Sequence, residues 1–96
     1  MTTKQYSALV SAAPDYSSRA AFVAAFGDDA GQIWDACTRS VKDILAEAGL
    51  TQAKFCERFC LPRRTVEDWY SGRRSCALST RLMVQQLLGL LNVKID

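Results

Sequence analysis

Gly49-Leu-Thr-Gln-Ala-Lys-Phe-Cys-Glu-Arg-Phe-Cys-Leu-Pro-Arg-Arg-Thr-Val-Glu-Asp-Trp-Tyr-Ser-Gly72 spells two short amphipathic helices separated by a tight turn. Gly49 stops the preceding helix, because a left-handed backbone costs glycine little. Thr51 is placed to cap a helix over Gln52–Phe59, with Ala53, Phe55, Cys56 and Phe59 as its apolar positions. Lys54 stands where a complete capping box would carry Glu or Gln, so half of that device is present. Cys60 and Leu61 make the turn. Pro62 opens the second helix, where its missing N–H would be unpaired anyway. This helix runs to about Tyr70, with Thr65, Val66 and Trp69 facing inward, and Ser71-Gly72 ends it. Two adjacent arginines, Arg63 and Arg64, lie near its start, and a basic loop of Arg73, Arg74, Ser75 and Cys76 follows.

Upstream, Ile33, Cys37, Val41, Ile44, Leu45 and Ala48 recur at helical spacing, which predicts one long helix from Asp29 to Ala48. Asp28 and Asp29 suit its positive N-terminal end. Downstream, Ser79 is placed to cap a last helix carrying Leu82, Met83, Leu87, Leu88 and Leu91. Residues 1–32 read as a helical extension. One helix, Gln5 to Ala12, ends before Pro14, because the residue before a proline avoids the helical region. A second, Arg19 to Phe26, is capped by Ser17 or Ser18 and stopped by Gly27. Its Phe22, Val23 and Phe26 share a side, and either pack on the main domain or form a dimer contact. No segment has the alternation of a strand, so the fold class is all-α, divided into residues 1–32 and a domain over 33–96.

The chain has 96 residues, 49% of them hydrophobic, which is enough to fold without covalent staples. Its net charge of +2 is unevenly spread. Residues 1–51 carry four basic and six acidic side chains, and residues 52–81 carry seven basic and three acidic. Positive charge is therefore concentrated on the segment with the paired helices, as binding to a polyanion requires. Met1-Thr-Thr-Lys-Gln-Tyr lacks the apolar run of a secretory signal, and no apolar segment approaches bilayer length. These features predict a cytoplasmic location with Cys37, Cys56, Cys60 and Cys76 reduced. Cys56 and Cys60 lie four apart, but the chain has no histidine and its other cysteines fall on other elements, so no metal and no cofactor is expected. A redox role for Cys56 or Cys60 stays open.

Residues 33–91 resemble the Xre/Cro-type helix-turn-helix regulators with the lambda-repressor-like fold. The resemblance rests on Gly49-Leu50-Thr51-Gln52, the small Cys56 four residues after Gln52, the turn, and Thr65-Val66. It continues through the aromatic Trp69, Gly72 with its basic residues, and the leucine-rich closing helix. It implies a five-helix DNA-binding domain behind the N-terminal extension. Two positions depart from the family pattern. Cys60 stands where the turn usually holds glycine, and a left-handed backbone there costs a side chain roughly 1 kcal/mol. Ala77 stands where proline is common.

The resemblance places Arg63 and Arg64 against base edges, where arginine donates two hydrogen bonds to guanine O6 and N7. Asp68, the better placed of the two acidic residues on that helix, either accepts from cytosine N4 or orients Arg64 four residues earlier. Thr51, Gln52, Arg73 and Arg74 fall where side chains hold phosphates and fix register. The expected function is a sequence-specific transcriptional regulator, a repressor that occupies an operator as a homodimer. The alternative is an antitoxin or accessory factor that mainly grips a partner protein such as a toxin. No glycine-rich phosphate loop and no catalytic constellation is present, so no enzyme is expected.

Overall fold

The computed structural model describes residues 1–95 and is all-helical over them. It divides into two compact units, one built from residues 1–38 with the segment that begins at Leu91, the other from Arg39–Leu90. No helix among the described residues is long and apolar enough to cross a membrane.

The first unit holds α1 (Thr3–Ala12), a single 3-10 turn (Ala13–Asp15), α2 (Arg19–Phe26) and α3 (Ala30–Thr38). Thr2 and Gln5 form a reciprocal capping box, the Gln5 N–H donating to Thr2 Oγ1 at 3.1 Å and the Thr2 N–H to Gln5 Oε1 at 2.8 Å. Ser18 caps α2 by accepting from the Ala21 N–H at 3.2 Å. α3 packs against both α1 and α2. Phe22 is fully buried between Tyr16 and Trp34, at centroid distances of 5.4 and 5.6 Å. Phe22 thus closes a core of this unit's own, and Phe26 beside it stays 43% exposed. Arg19 pairs with Asp35 at 3.0 Å.

The second unit holds α4 (Val41–Ala48), α5 (Gln52–Phe59), α6 (Arg63–Ser71) and α7 (Leu78–Leu87). Its core is Val41, Ile44, Leu45, Phe55, Val66, Cys76 and Val84, with Leu50, Cys56, Phe59, Leu61, Trp69 and Tyr70 packed around it. Burial raises the pKa of the Cys76 thiol, partly offset by the nearby Arg81.

Two sequence expectations are corrected. The long helix from Asp29 to Ala48 is two helices, broken at Arg39-Ser40. Ser40 Oγ accepts from the Asp43 N–H and Asp43 Oδ2 accepts from the Ser40 N–H, both at 3.2 Å, so a complete capping box starts α4 afresh. The Thr38 hydroxyl closes α3 by donating to the Trp34 and Asp35 carbonyls. The first unit runs to Thr38 and the second begins at Arg39, and the span 33–96 holds the last part of α3 together with α4, α5, α6 and α7. Lastly, α7 begins at Leu78 behind an Ala77 cap without a side-chain bond, and Ser79 does not cap it. Ala77 has φ −57°, a value proline would share.

A polar relay fastens α7 to the start of α4. Arg81 Nη1 donates to the Arg39 carbonyl at 2.7 Å and Arg81 Nε to the Cys76 carbonyl at 3.2 Å. Arg39 Nη1 donates to Oε1 of the fully buried Gln85 at 3.2 Å, and Gln85 Nε2 donates to the Arg81 carbonyl. Arg81→Ala is expected to lower unfolding stability by about 2 kcal/mol, because two carbonyls lose their donor. Cys60 is the one described non-glycine residue with positive φ, at 53°. Cys60→Gly removes the side-chain penalty of that backbone and is expected to raise stability by no more than about 0.5 kcal/mol in urea unfolding, after the extra entropy of an unfolded glycine.

Candidate nucleic-acid interface

The site grows from two turns and one buried face. At the end of α4, Gly49 is left-handed with φ 67°, and the Leu50 N–H reaches back to the Leu45 carbonyl at 3.0 Å. That turns the chain into Thr51, whose Oγ1 accepts from the Lys54 N–H at 3.1 Å and so starts α5 as its sequence predicts. At the end of α5 the left-handed Cys60 lets the Leu61 N–H bond the Cys56 carbonyl at 3.0 Å. Pro62, expected to open the helix, is instead its extended cap residue, and α6 begins one position later at Arg63.

α6 packs on both α4 and α5. Val66 is fully buried, and Trp69 and Tyr70 are half-buried against the core. Lys42 of α4 lies over the Tyr70 ring at 5.7 Å, an additional tie that the sequence pattern did not suggest. The opposite side of α6 faces solvent. The side chains of Arg63 and Arg64 are 73% and 80% exposed.

Four charged groups come together at the end of this helix. Asp68 lies 3.9 Å from Arg64 Nε, 3.6 Å from Arg73 Nη1 and 3.9 Å from Arg74 Nε. Its carbonyl also accepts from the Arg74 N–H at 3.2 Å and from the Ser71 hydroxyl at 3.3 Å. Gly72, with φ 82°, provides the reversal that brings the loop back over it. One turn earlier Arg63 Nε pairs with Glu67 Oε1 at 3.4 Å.

This arrangement corrects the place given to Asp68. Its residue exposure is 7%, so it does not present a carboxylate at the helix surface as an acceptor for cytosine. The geometry agrees with the other option, in which it orients Arg64, and extends that to Arg73 and Arg74. Glu67 is the exposed carboxylate of the pair, at 52%. Thr51 is exposed and Gln52 half-buried at the start of α5, with the Thr51 oxygen engaged in its cap. The gathering of both loop arginines onto one carboxylate was not foreseen. The signal for it was present, since Gly72 four residues after Asp68 reverses the chain.

Charge follows the division of the fold. Residues 39–90 carry nine basic and five acidic side chains, net +4, whereas residues 1–38 carry two and four, net −2. Of the four free cysteines, Cys60 is exposed beside this face and Cys76 is buried. Among the described residues no group of three or more His, Cys, Asp or Glu side chains is placed to hold a metal ion. Comparisons with protein-family models, with curated proteins and with solved structures each found no match.

Because Arg63 and Arg64 are solvated and only loosely paired, they do little for folding. Arg63→Ala and Arg64→Ala are each expected to change unfolding stability by no more than about 0.5 kcal/mol. A loss several times larger, measured in urea, would assign them to the scaffold instead of to a ligand.

Proposed function

We propose that this chain is a sequence-specific DNA-binding regulator, a cytoplasmic repressor that occupies its operator as a homodimer. The observation that carries the reading is the polarity of α6. Its buried side is anchored by Val66 and Trp69, while the side chains of Arg63 and Arg64 in the first turn are 73% and 80% exposed. In the lambda-repressor-like arrangement that the sequence resembles, α5 crosses the backbone and α6 lies in the major groove, which is about 12 Å wide and admits a helix. Arg63 and Arg64 then read guanine edges. Thr51, Gln52, Arg73 and Arg74 hold phosphates and set the register. No effector domain or catalytic step is part of this reading, and repression follows from occupying the operator.

One such module makes few contacts, so two copies on a palindrome with half-sites roughly 34 Å apart would be used. Met83 and Leu87, four residues apart on α7, are 56% and 63% exposed and supply an apolar strip for that pairing. Met83→Asp with Leu87→Asp is expected to shift the species seen by sedimentation from dimer to monomer.

A second reading, an antitoxin or accessory factor that grips a partner protein, is favoured by one observation. Phe26, 43% exposed, borders a cavity of about 470 Å³ that is also lined by Met1, Gln5, Ala8, Leu9 and Asp29. It is compatible with DNA binding, since the two features lie on different units.

Selection of duplexes from a random pool by the purified protein tests the main reading, and enrichment of a palindrome is the expected result. On the enriched duplex Arg64→Ala should cost about 1–3 kcal/mol and relax preference at one position. Arg73→Ala should weaken all duplexes alike and reduce the slope of log K against log salt by about 1. Equal losses from both variants on every sequence would contradict the roles, and no enrichment at all would end the reading.

A further inference from the structure

Asp68 is an unusual acidic residue for a helix turned toward a polyanion. It is 7% exposed, yet its two carboxylate oxygens lie within 4 Å of three separate guanidinium groups. A buried carboxylate is costly to desolvate unless partners compensate it, and here the partners are Arg64 from α6 with Arg73 and Arg74 from the following loop. The distances of 3.6–3.9 Å are longer than those of a tight charge-assisted hydrogen bond, about 2.7–2.9 Å. Asp68 therefore attracts all three without consuming their donors, and the three side chains remain 69–80% exposed. Three like charges would otherwise repel one another and splay. The Nε atoms of Arg64 and Arg74 each lie 3.9 Å from the same oxygen, Asp68 Oδ2, so they are at most about 8 Å apart. On duplex DNA, with roughly 3.4 Å per step along a strand, that is the span of two or three base pairs.

We propose that Asp68 is the positioning residue of this interface: its buried carboxylate holds Arg64, Arg73 and Arg74 as one preorganised unit. Base reading by Arg64 and backbone contact by the loop arginines are thereby coupled. The inference rests on the DNA-binding reading above and concerns what makes that binding selective. Three guanidiniums on one carboxylate leave the cluster at +2. Removing the carboxylate raises its charge while loosening its geometry. General attraction to DNA and discrimination among sequences then move in opposite directions, which a merely structural role for Asp68 does not produce.

The test uses the full chain, the duplex that the wild-type protein enriches, and a random-sequence duplex of the same length. Asp68→Asn keeps the shape and removes the charge. Its affinity for the random duplex is expected to stay level or tighten, and the slope of log K against log salt to steepen by about 1. The ratio of enriched to random affinity is expected to fall by about tenfold. A folded Asp68→Asn variant, judged by circular dichroism, with the wild-type ratio would overturn the proposal. A second measurement leaves Asp68 in place. Arg64→Ala and Arg74→Ala, made singly and together, should have losses on the enriched duplex that fail to multiply, because they share one partner. Losses that multiply to within about twofold would overturn it even if Asp68→Asn does not fold. Failure of the wild-type chain to enrich any duplex appears before a variant is made; it removes the DNA reading and this inference with it.

Discussion

The burial of Val66 fixes how α6 is turned about its own axis. With no exposed surface, Val66 sits in the cluster formed by Val41, Ile44, Leu45, Phe55 and Val84. Removing a valine side chain from water stabilises by about 1.5–3 kcal/mol, more than any single exposed pair on this helix contributes. An α-helix advances about 100° per residue, so once position 66 points inward, position 64 lies about 160° away and position 67 about 100°, while Arg63, about 60° from Val66, is the first residue of the helix and extends past the core. Trp69, one turn on, and Tyr70 under Lys42 hold the same rotation. Arg64 faces solvent because the apolar face has already been assigned.

Electrostatics acts on that frame at a smaller scale. Arg63 with Glu67 and Arg64 with Asp68 are pairs at a spacing of four, but the first pair is solvated on both sides and screened. Asp68 differs because the loop from Gly72 folds over it and its carbonyl engages the Arg74 N–H. Main chain and side chain of one residue thus anchor the same loop. On the proposed reading, cationic groups gathered this way before an anion arrives would lower the ordering cost of binding.

How much of this was legible in the sequence depended on how far apart the cooperating residues lie. Gly49, Thr51 and the span Gln52–Phe59 were readable because caps and stops act within four residues. The break at Ser40 was just as local, since Ser40 and Asp43 are three apart. It was masked because Ile33, Cys37 and Val41 continue a helical spacing across it. Periodicity reports which residues are apolar and cannot register a chain that stops and restarts in phase. The exposed arginines of α6 were legible from the positions of Val66 and Trp69. The burial of Asp68 was not, because a spacing of four from Arg64 fits a solvated pair and a covered one equally. The relay of Arg39, Arg81 and Gln85 spans 46 residues of chain and leaves no mark on any local pattern. The aromatic core of Tyr16, Phe22 and Trp34 belongs with it, since only the packing of α3 on α2 shows that Phe22 has a home in its own unit.

The turn at Cys60 shows which of these forces yields. A left-handed backbone is unfavourable for any residue with a Cβ, by roughly 1–2 kcal/mol, and nothing in the local sequence relieves it. It persists because Leu61 packs on the core while its N–H satisfies the Cys56 carbonyl, and Phe59 closes on Phe55 at 5.0 Å just before it. Those contacts together exceed the backbone penalty, so tertiary packing imposes a conformation that residue preference alone would refuse. The angle at which α6 leaves α5 is therefore set by the same core that sets its rotation. The position and the facing of Arg63 and Arg64 thus share a single origin, in the burial of Phe55, Val66 and their neighbours.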